Sequence, residues 1–198
     1  MYRWRKMTPE QRAEAQAERK IRLHPKHSPR HHKEGKGLYL ITSTCYEHQP
    51  WIGTTDDRMD YFSNELLVML KSEATRVDAW VILPNHYHAV VLTDSCPALL
   101  RELGKLHGRS SFLWNGEDET RGRKVWFNTM ERKISGDAHH IAAIHYVHHN
   151  PVKHGYVKKW DEWKWSSASE YLGRLGRDEV ERRWREYPLL NFGVGWDD

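Results

Sequence analysis

The sequence predicts a single α+β catalytic domain with elements in the order β-α-β-β-α-β, and two observations predict it. Residues 78–93 read as a hairpin: two β-type runs, Ala79-Trp80-Val81-Ile82-Leu83 and His86-Tyr87-His88-Ala89-Val90-Val91-Leu92, flank the turn signal Pro84-Asn85. Helical apolar periodicity appears on both sides of that hairpin, so it is enclosed by helices within one chain order. The first strand is the β-branched and aromatic run of residues 38–46. Residues 57–75 follow as a helix with Met59, Phe62, Leu66, Leu67 and Leu70 on one stripe. After the hairpin, residues 97–114 form a second helix with Leu99, Leu100, Leu103, Leu106 and Phe112 as its core face. A polar, glycine-bearing connection over 115–124 leads to a fourth strand at 124–130 and a last helix at 137–150. This order gives a ferredoxin-like sandwich, an antiparallel sheet covered by helices on one face.

The hairpin carries the first chemical signal. Residues i and i+2 of a strand share a face, so His86 and His88 project side by side, about 7 Å apart along the strand. Two imidazoles so placed can share one divalent metal if a third ligand comes from elsewhere. Two ordinary half-buried histidines are the bland alternative in a chain with 14 of them. The second signal is in the last helix, where Ile141, Ile144 and Val147 recur at helical spacing and Pro151 with Gly155 marks the exit. Tyr146 and Asn150 lie four apart and share one helical face, so the helix delivers a phenol and an amide oxygen to one place. Without the histidine pair, Tyr146 would read as a packing tyrosine.

Together these stretches resemble the HUH single-tyrosine transposases, and within them the REP-associated tyrosine transposases. The resemblance is carried by Pro84-Asn85 before His86-Tyr87-His88, by Val125-Trp126-Phe127-Asn128, by Tyr146-x-x-x-Asn150-Pro151-Val152-Lys153, and by Trp163-x-Trp165-Ser166-Ser167. It covers residues 37–172, with the motifs in the family's order. Tyr87 stands where the family usually has an aliphatic residue, and strand alternation aims it at the opposite face. The resemblance implies a catalytic domain at 37–172 and the same sandwich fold. It also implies Tyr146 as nucleophile, a metal held by His86, His88 and Asn150, and single-stranded DNA with palindromic hairpins as substrate. A hard, mixed donor set of this kind suits Mg²⁺ or Mn²⁺. The tail after Trp163 is more typical of the monomeric branch than of the dimeric one. An idle hairpin-binding protein of the same fold is the main alternative; a metal hydrolase lacks a carboxylate base near the pair.

Composition bounds the rest. The chain has 198 residues and a formal net charge of +4, but the charge is uneven. Residues 1–36 hold eleven Lys/Arg against four Glu, and the remainder twenty against twenty-three Asp/Glu. This basic arm opens with the capping box Thr8-Pro9-Glu10-Gln11 and continues into a proline-broken linker, a composition suited to a polyanion. The DNA-contacting residues expected are Arg3, Arg5, Lys6, Lys26, Arg30 and Lys33 in the arm, with Arg109, Arg123 and Lys124 on the core. Tyr2, Trp4 and Tyr46 are candidates for stacking on bases. Residues 173–198 form a C-terminal tail. Two cysteines without metal spacing, no membrane-length apolar run and no signal-type start predict a soluble cytoplasmic protein.

Overall fold

The computed structural model describes residues 36–190, 192 and 193, together with Thr8, Glu10, Gln11 and Glu14. Four strands form one antiparallel sheet: β1 (Gly37–Cys45), β2 (Arg76–Leu83), β3 (His86–Thr93) and β4 (Trp126–Ile134), in the order β2-β3-β1-β4. Helix α1 (Asp56–Glu73) links β1 to β2, and α2 (Cys96–Glu117) links β3 to β4. Both start on a side-chain cap, Thr55 accepting from the Arg58 amide and Ser95 from that of Ala98. This is the predicted β-α-β-β-α-β order, with boundaries displaced by one to four residues.

The sheet is covered on both faces, which corrects the one-sided expectation. Tyr39, Ile41, Tyr87, Ala89 and Val91 point to α1 and α2 and pack with Phe62, Leu66, Trp114 and Trp126. Leu40, Ala79, Val81 and Val90 point the other way, toward α3 (Asp137–Lys153), where Ala143, Ile144, Tyr146 and Val147 meet them. The sheet is buried twice because its strands alternate two apolar sets, and α3 reads as amphipathic without saying which face it covers. Helices α4 (Ala168–Leu175) and α5 (Arg177–Glu186) complete this second layer through Tyr171 and Val180.

Two core assignments change. Phe112 is 71% exposed, under the Arg121 guanidinium at 4.3 Å, and Trp114 takes the buried position two residues on. Met69 is buried, whereas Leu67 is only half-buried. The open edge of β2 is sealed by the tryptophan-serine segment: Ile82 N–H donates to Trp165 O, Ser167 N–H donates to Trp80 O, and Trp163 Nε1 donates to Ile82 O. Among the described residues no helix is long and apolar enough to cross a membrane. At the N-terminal capping box, Thr8 N–H donates to Gln11 Oε1 and Gln11 N–H to Thr8 Oγ1. The arm residues expected to touch DNA lie outside the described residues.

Candidate active site

The two histidines of β3 face α3, and hydrogen bonding orients both rings. The orientation of His86 follows from a chain of fixed roles. The His48 carbonyl can only accept, so the Asn85 group 3.2 Å from it is Nδ2–H₂, and Asn85 Oδ1 faces the other way. That oxygen also only accepts, so His86 Nδ1, 2.7 Å away, carries the hydrogen. The lone pair of neutral His86 is then on Nε2, which lies 3.0 Å from Asn150 Oδ1 on α3. With Nδ1 as the donor, Nε2 and Asn150 Oδ1 face each other and could both turn to one divalent ion. Adjacent ligands of an octahedral ion with 2.1 Å bonds stand about 3 Å apart, so the observed separation fits shared coordination. His88 is held through Nδ1 by Thr42 Oγ1 at 2.8 Å, and its ring is 5.0 Å from that of His86. Second partners of this kind are what orient metal-binding imidazoles. Among the described residues no group of three or more His, Cys, Asp and Glu converges as a metal cluster.

Helix α3 brings Tyr146 to the same place. Its phenol ring is 5.1 Å from His88 at 67°, in edge-to-face contact. Asn150, one turn on, is fully buried against His86. The helix tolerates Pro151 in its last turn and closes at Gly155, whose φ of 74° is a left-handed exit. His154, on the same helical row as Tyr146 and Asn150, sets its ring 5.0 Å from His86. Its i, i+4, i+8 spacing from Tyr146 and Asn150 is the sequence signal that places it there. Lys153 Nζ lies 5.5 Å above the phenol ring.

The tail closes the site. Tyr146 is only 2% exposed. Phe192 packs edge-on at 5.7 Å, and Gly193 approaches so closely that a Cβ there would lie 2.1 Å from Tyr146 Cε2. Lys153 Nζ donates to Gly193 O at 3.4 Å. A cleft of ≈ 420 Å³ lies alongside, lined by Tyr146, Asn150, Lys153, Leu190, Phe192 and Gly193 among others. Phe192 and Gly193 thus cover one side of the phenol ring, and the cleft runs along the other. No sequence signal announces this cover.

The chain is 25% identical over 142 residues to the REP-associated tyrosine transposase of Escherichia coli (strain K12), a match spanning 70% of this chain and 80% of that protein. Among solved structures it resembles a REP-associated tyrosine transposase bound to a REP hairpin, with a TM-score of 0.60 and 19% identity over 75% of this chain and 87% of the other. The two share a fold. No family model matches the sequence.

The other candidate residues separate by environment. His145 and His148 are buried. His145 stacks on Trp184 at 4.2 Å, and His148 Nε2 is 2.9 Å from Ser167 Oγ. Burial pulls His145 down to about 4 and His148 to about 3, so both are neutral packing groups. His149 is half-buried, and burial followed by the Lys153 charge lowers its pKa too. Tyr87, fully buried on the opposite face, hydrogen-bonds His107 Nε2 at 2.9 Å. Arg109 and Lys124 are exposed. Arg123 is engaged: Nη2 pairs with Asp118 at 2.7 Å, Nε donates to Asn115 Oδ1, and the guanidinium lies 3.9 Å over the Trp51 ring. Its role in the structure is to close the loop after α2.

Proposed function

We propose that this protein is a tyrosine transposase-type enzyme that nicks and rejoins single-stranded DNA at palindromic hairpins through a 5′-phosphotyrosine link. The observation that carries this reading is the convergence of Tyr146, His86, His88 and Asn150 at one point of the sheet. The names of the similar proteins support the hairpin and the transposase class.

In this reading the Tyr146 oxygen attacks phosphorus. The bond from phosphorus to the 3′ oxygen breaks, the phenol gives up its proton, and the departing oxygen takes up a proton to leave a free 3′-hydroxyl. A phenolate, with an ordinary pKa near 10, is a good leaving group, so another 3′-hydroxyl can reverse the step without a nucleotide cofactor. His86, His88 and Asn150 would hold Mg²⁺ or Mn²⁺, which supplies Lewis-acid neutralisation of phosphate charge. Asn85 and Thr42 keep the two imidazoles oriented for that task. Lys153 sets a second positive charge beside the phenol. The basic arm and the exposed Arg109 and Lys124 would meet phosphates, and the protein would act in the cytoplasm as a monomer. The domain division proposed is an arm over 1–36, a catalytic unit over 37–172 and a tail over 173–198, whose Phe192 and Gly193 lie against Tyr146.

The test is a labelled single-stranded hairpin oligonucleotide incubated with the protein and Mn²⁺. A protein–DNA adduct that survives denaturation supports transfer. Binding without adduct would make the protein a hairpin binder, and release of a free 5′-phosphate would make it a hydrolase.

A further inference from the structure

We propose that Tyr46, Phe127 and Lys124 form a stacking subsite for an unpaired nucleotide adjoining the phosphodiester presented to Tyr146; this subsite rests on the strand-transfer reading. The two rings lie with centroids 6.4 Å apart and planes inclined by 39°. Lys124 Nζ stands 4.7 Å from the Tyr46 ring and 5.3 Å from the Phe127 ring. Both rings are half-buried, and neither belongs to the packed clusters on the two faces of the sheet. Trp126, the neighbour of Phe127, is by contrast built into the α1/α2 core. The β1–β4 register shifts between Ser43 and Cys45, beside Trp126 and Phe127, and an irregularity of this kind re-aims side chains.

Position ties this group to the metal end of the sheet. Thr44 pairs with His86 across β1 and β3, and Tyr46 follows two residues later. Its Cα therefore lies within about 12 Å of that of His86, a span that neighbouring nucleotides of one strand bridge. The junction is bonded at several points. Cys45 N–H donates to Asn85 O at 2.8 Å, Tyr46 N–H to Val125 O at 2.7 Å, and Asn85 Nδ2 to His48 O at 3.2 Å. Glu47 and His48 hold left-handed backbone, with φ of 57° and 51°, to make this turn. The same Asn85 that fixes the His86 tautomer thus fixes the turn that carries Tyr46.

The occupant follows from the chemistry. An aromatic ring stacks on a base only when that base has left its own stack, so the platform selects single-stranded over duplex DNA. A lysine beside the rings meets the phosphate that comes with the base. No hydrogen-bonding code is involved, so any unpaired base is accepted and pairing at the hairpin foot sets the limit.

The experiment uses a fluorescent twelve-nucleotide oligo-dT and a duplex of the same length, with the full chain carrying Tyr146→Phe so that binding is read without turnover. Tyr46→Ala and Phe127→Ala should each weaken oligo-dT binding about 5- to 100-fold and leave duplex binding unchanged. Tyr46→Phe should restore oligo-dT affinity, which a folding defect would not allow. Lys124→Ala should weaken both probes and reduce the salt slope by about one. Unchanged oligo-dT affinity in both alanine variants, or equal losses on both probes, overturns the subsite. The adduct assay on the unmodified protein reads the transfer reaction separately. Adduct with ineffective alanine variants removes only the platform, and selective loss of oligo-dT binding without any adduct removes only the transfer reading.

Discussion

Tyr87 and Tyr146 are both buried phenols beside an imidazole, on opposite faces of one sheet, and they differ in what covers them. Tyr87 lies beneath two long helices, with Phe62 5.7 Å and Trp126 5.9 Å from its ring and a hydrogen bond to His107. Burial pushes its phenol pKa well up and pulls His107 down to about 3. Tyr146 is covered on its open side by Phe192 and Gly193, next to Leu190, which is 85% exposed. The first tyrosine is sealed by the core, and opening it means unfolding the domain. The second is covered by a short segment near the C-terminal end, through Phe192 and Gly193. Equal burial therefore rests on unequal cover.

Substitution of the two phenols breaks this comparison most sharply. Tyr146→Phe should keep the fold and abolish the covalent DNA adduct, whereas Tyr87→Phe should leave adduct formation intact and cost about 1 kcal/mol for the lost His107 hydrogen bond. Adduct persisting in the first variant would move the nucleophile elsewhere. His86→Ala and His88→Ala come next. Each should lower Mn²⁺ affinity at least tenfold by calorimetry and stop cleavage, with Asn150→Ala milder because an amide oxygen is a weak ligand. Full cleavage by the native protein in EDTA would remove the metal from the account.

The cover itself can be opened. Gly193 has φ of 80° and no room for a Cβ against Tyr146, so Gly193→Ala should drive the tail off the ring. Nitration of Tyr146, followed by mass spectrometry, should then accelerate several-fold while Tyr87 stays protected. Equal rates in both proteins would show that the tail does not gate access. The smallest effect is in stability against pH. His107, His145 and His148 are held neutral, with pKa values lowered from 6.5 to about 3, 4 and 3. The unfolded chain binds these protons first, so stability is complete above about pH 7 and falls as pH drops below 6.5. Urea unfolding at pH 5 should show a loss of about 1–2 kcal/mol per histidine relative to pH 7. A flat profile would contradict their neutral burial.

Much of the sheet and part of the site were legible in the sequence, for a physical reason. Strand alternation determines which side chains share a face, so the pairing of His86 with His88 and the opposite aim of Tyr87 followed from period two alone. Helical spacing likewise put Tyr146 and Asn150 together. The helix pattern does not name the surface a helix packs on, so α3 on the second face of the sheet was not readable. Nor was the burial of His145 and His148, whose partners Trp184 and Ser167 come from distant chain. Phe112 was misplaced because apolar periodicity cannot tell a core ring from one held outside by a guanidinium. The tail over Tyr146 depends on Gly193 meeting a ring 47 residues earlier in the chain, a contact with no local signature.

In the proposed reaction Tyr146, and not the equally buried Tyr87, takes the DNA. Its most direct test is to trap the adduct on a single-stranded hairpin oligonucleotide with Mn²⁺, digest the DNA and the protein, and map the residual nucleotide by mass spectrometry. The added mass should fall on the tryptic peptide of residues 134–153, localised to Tyr146. The same mass on the peptide containing Tyr87, or on any other residue, would contradict it.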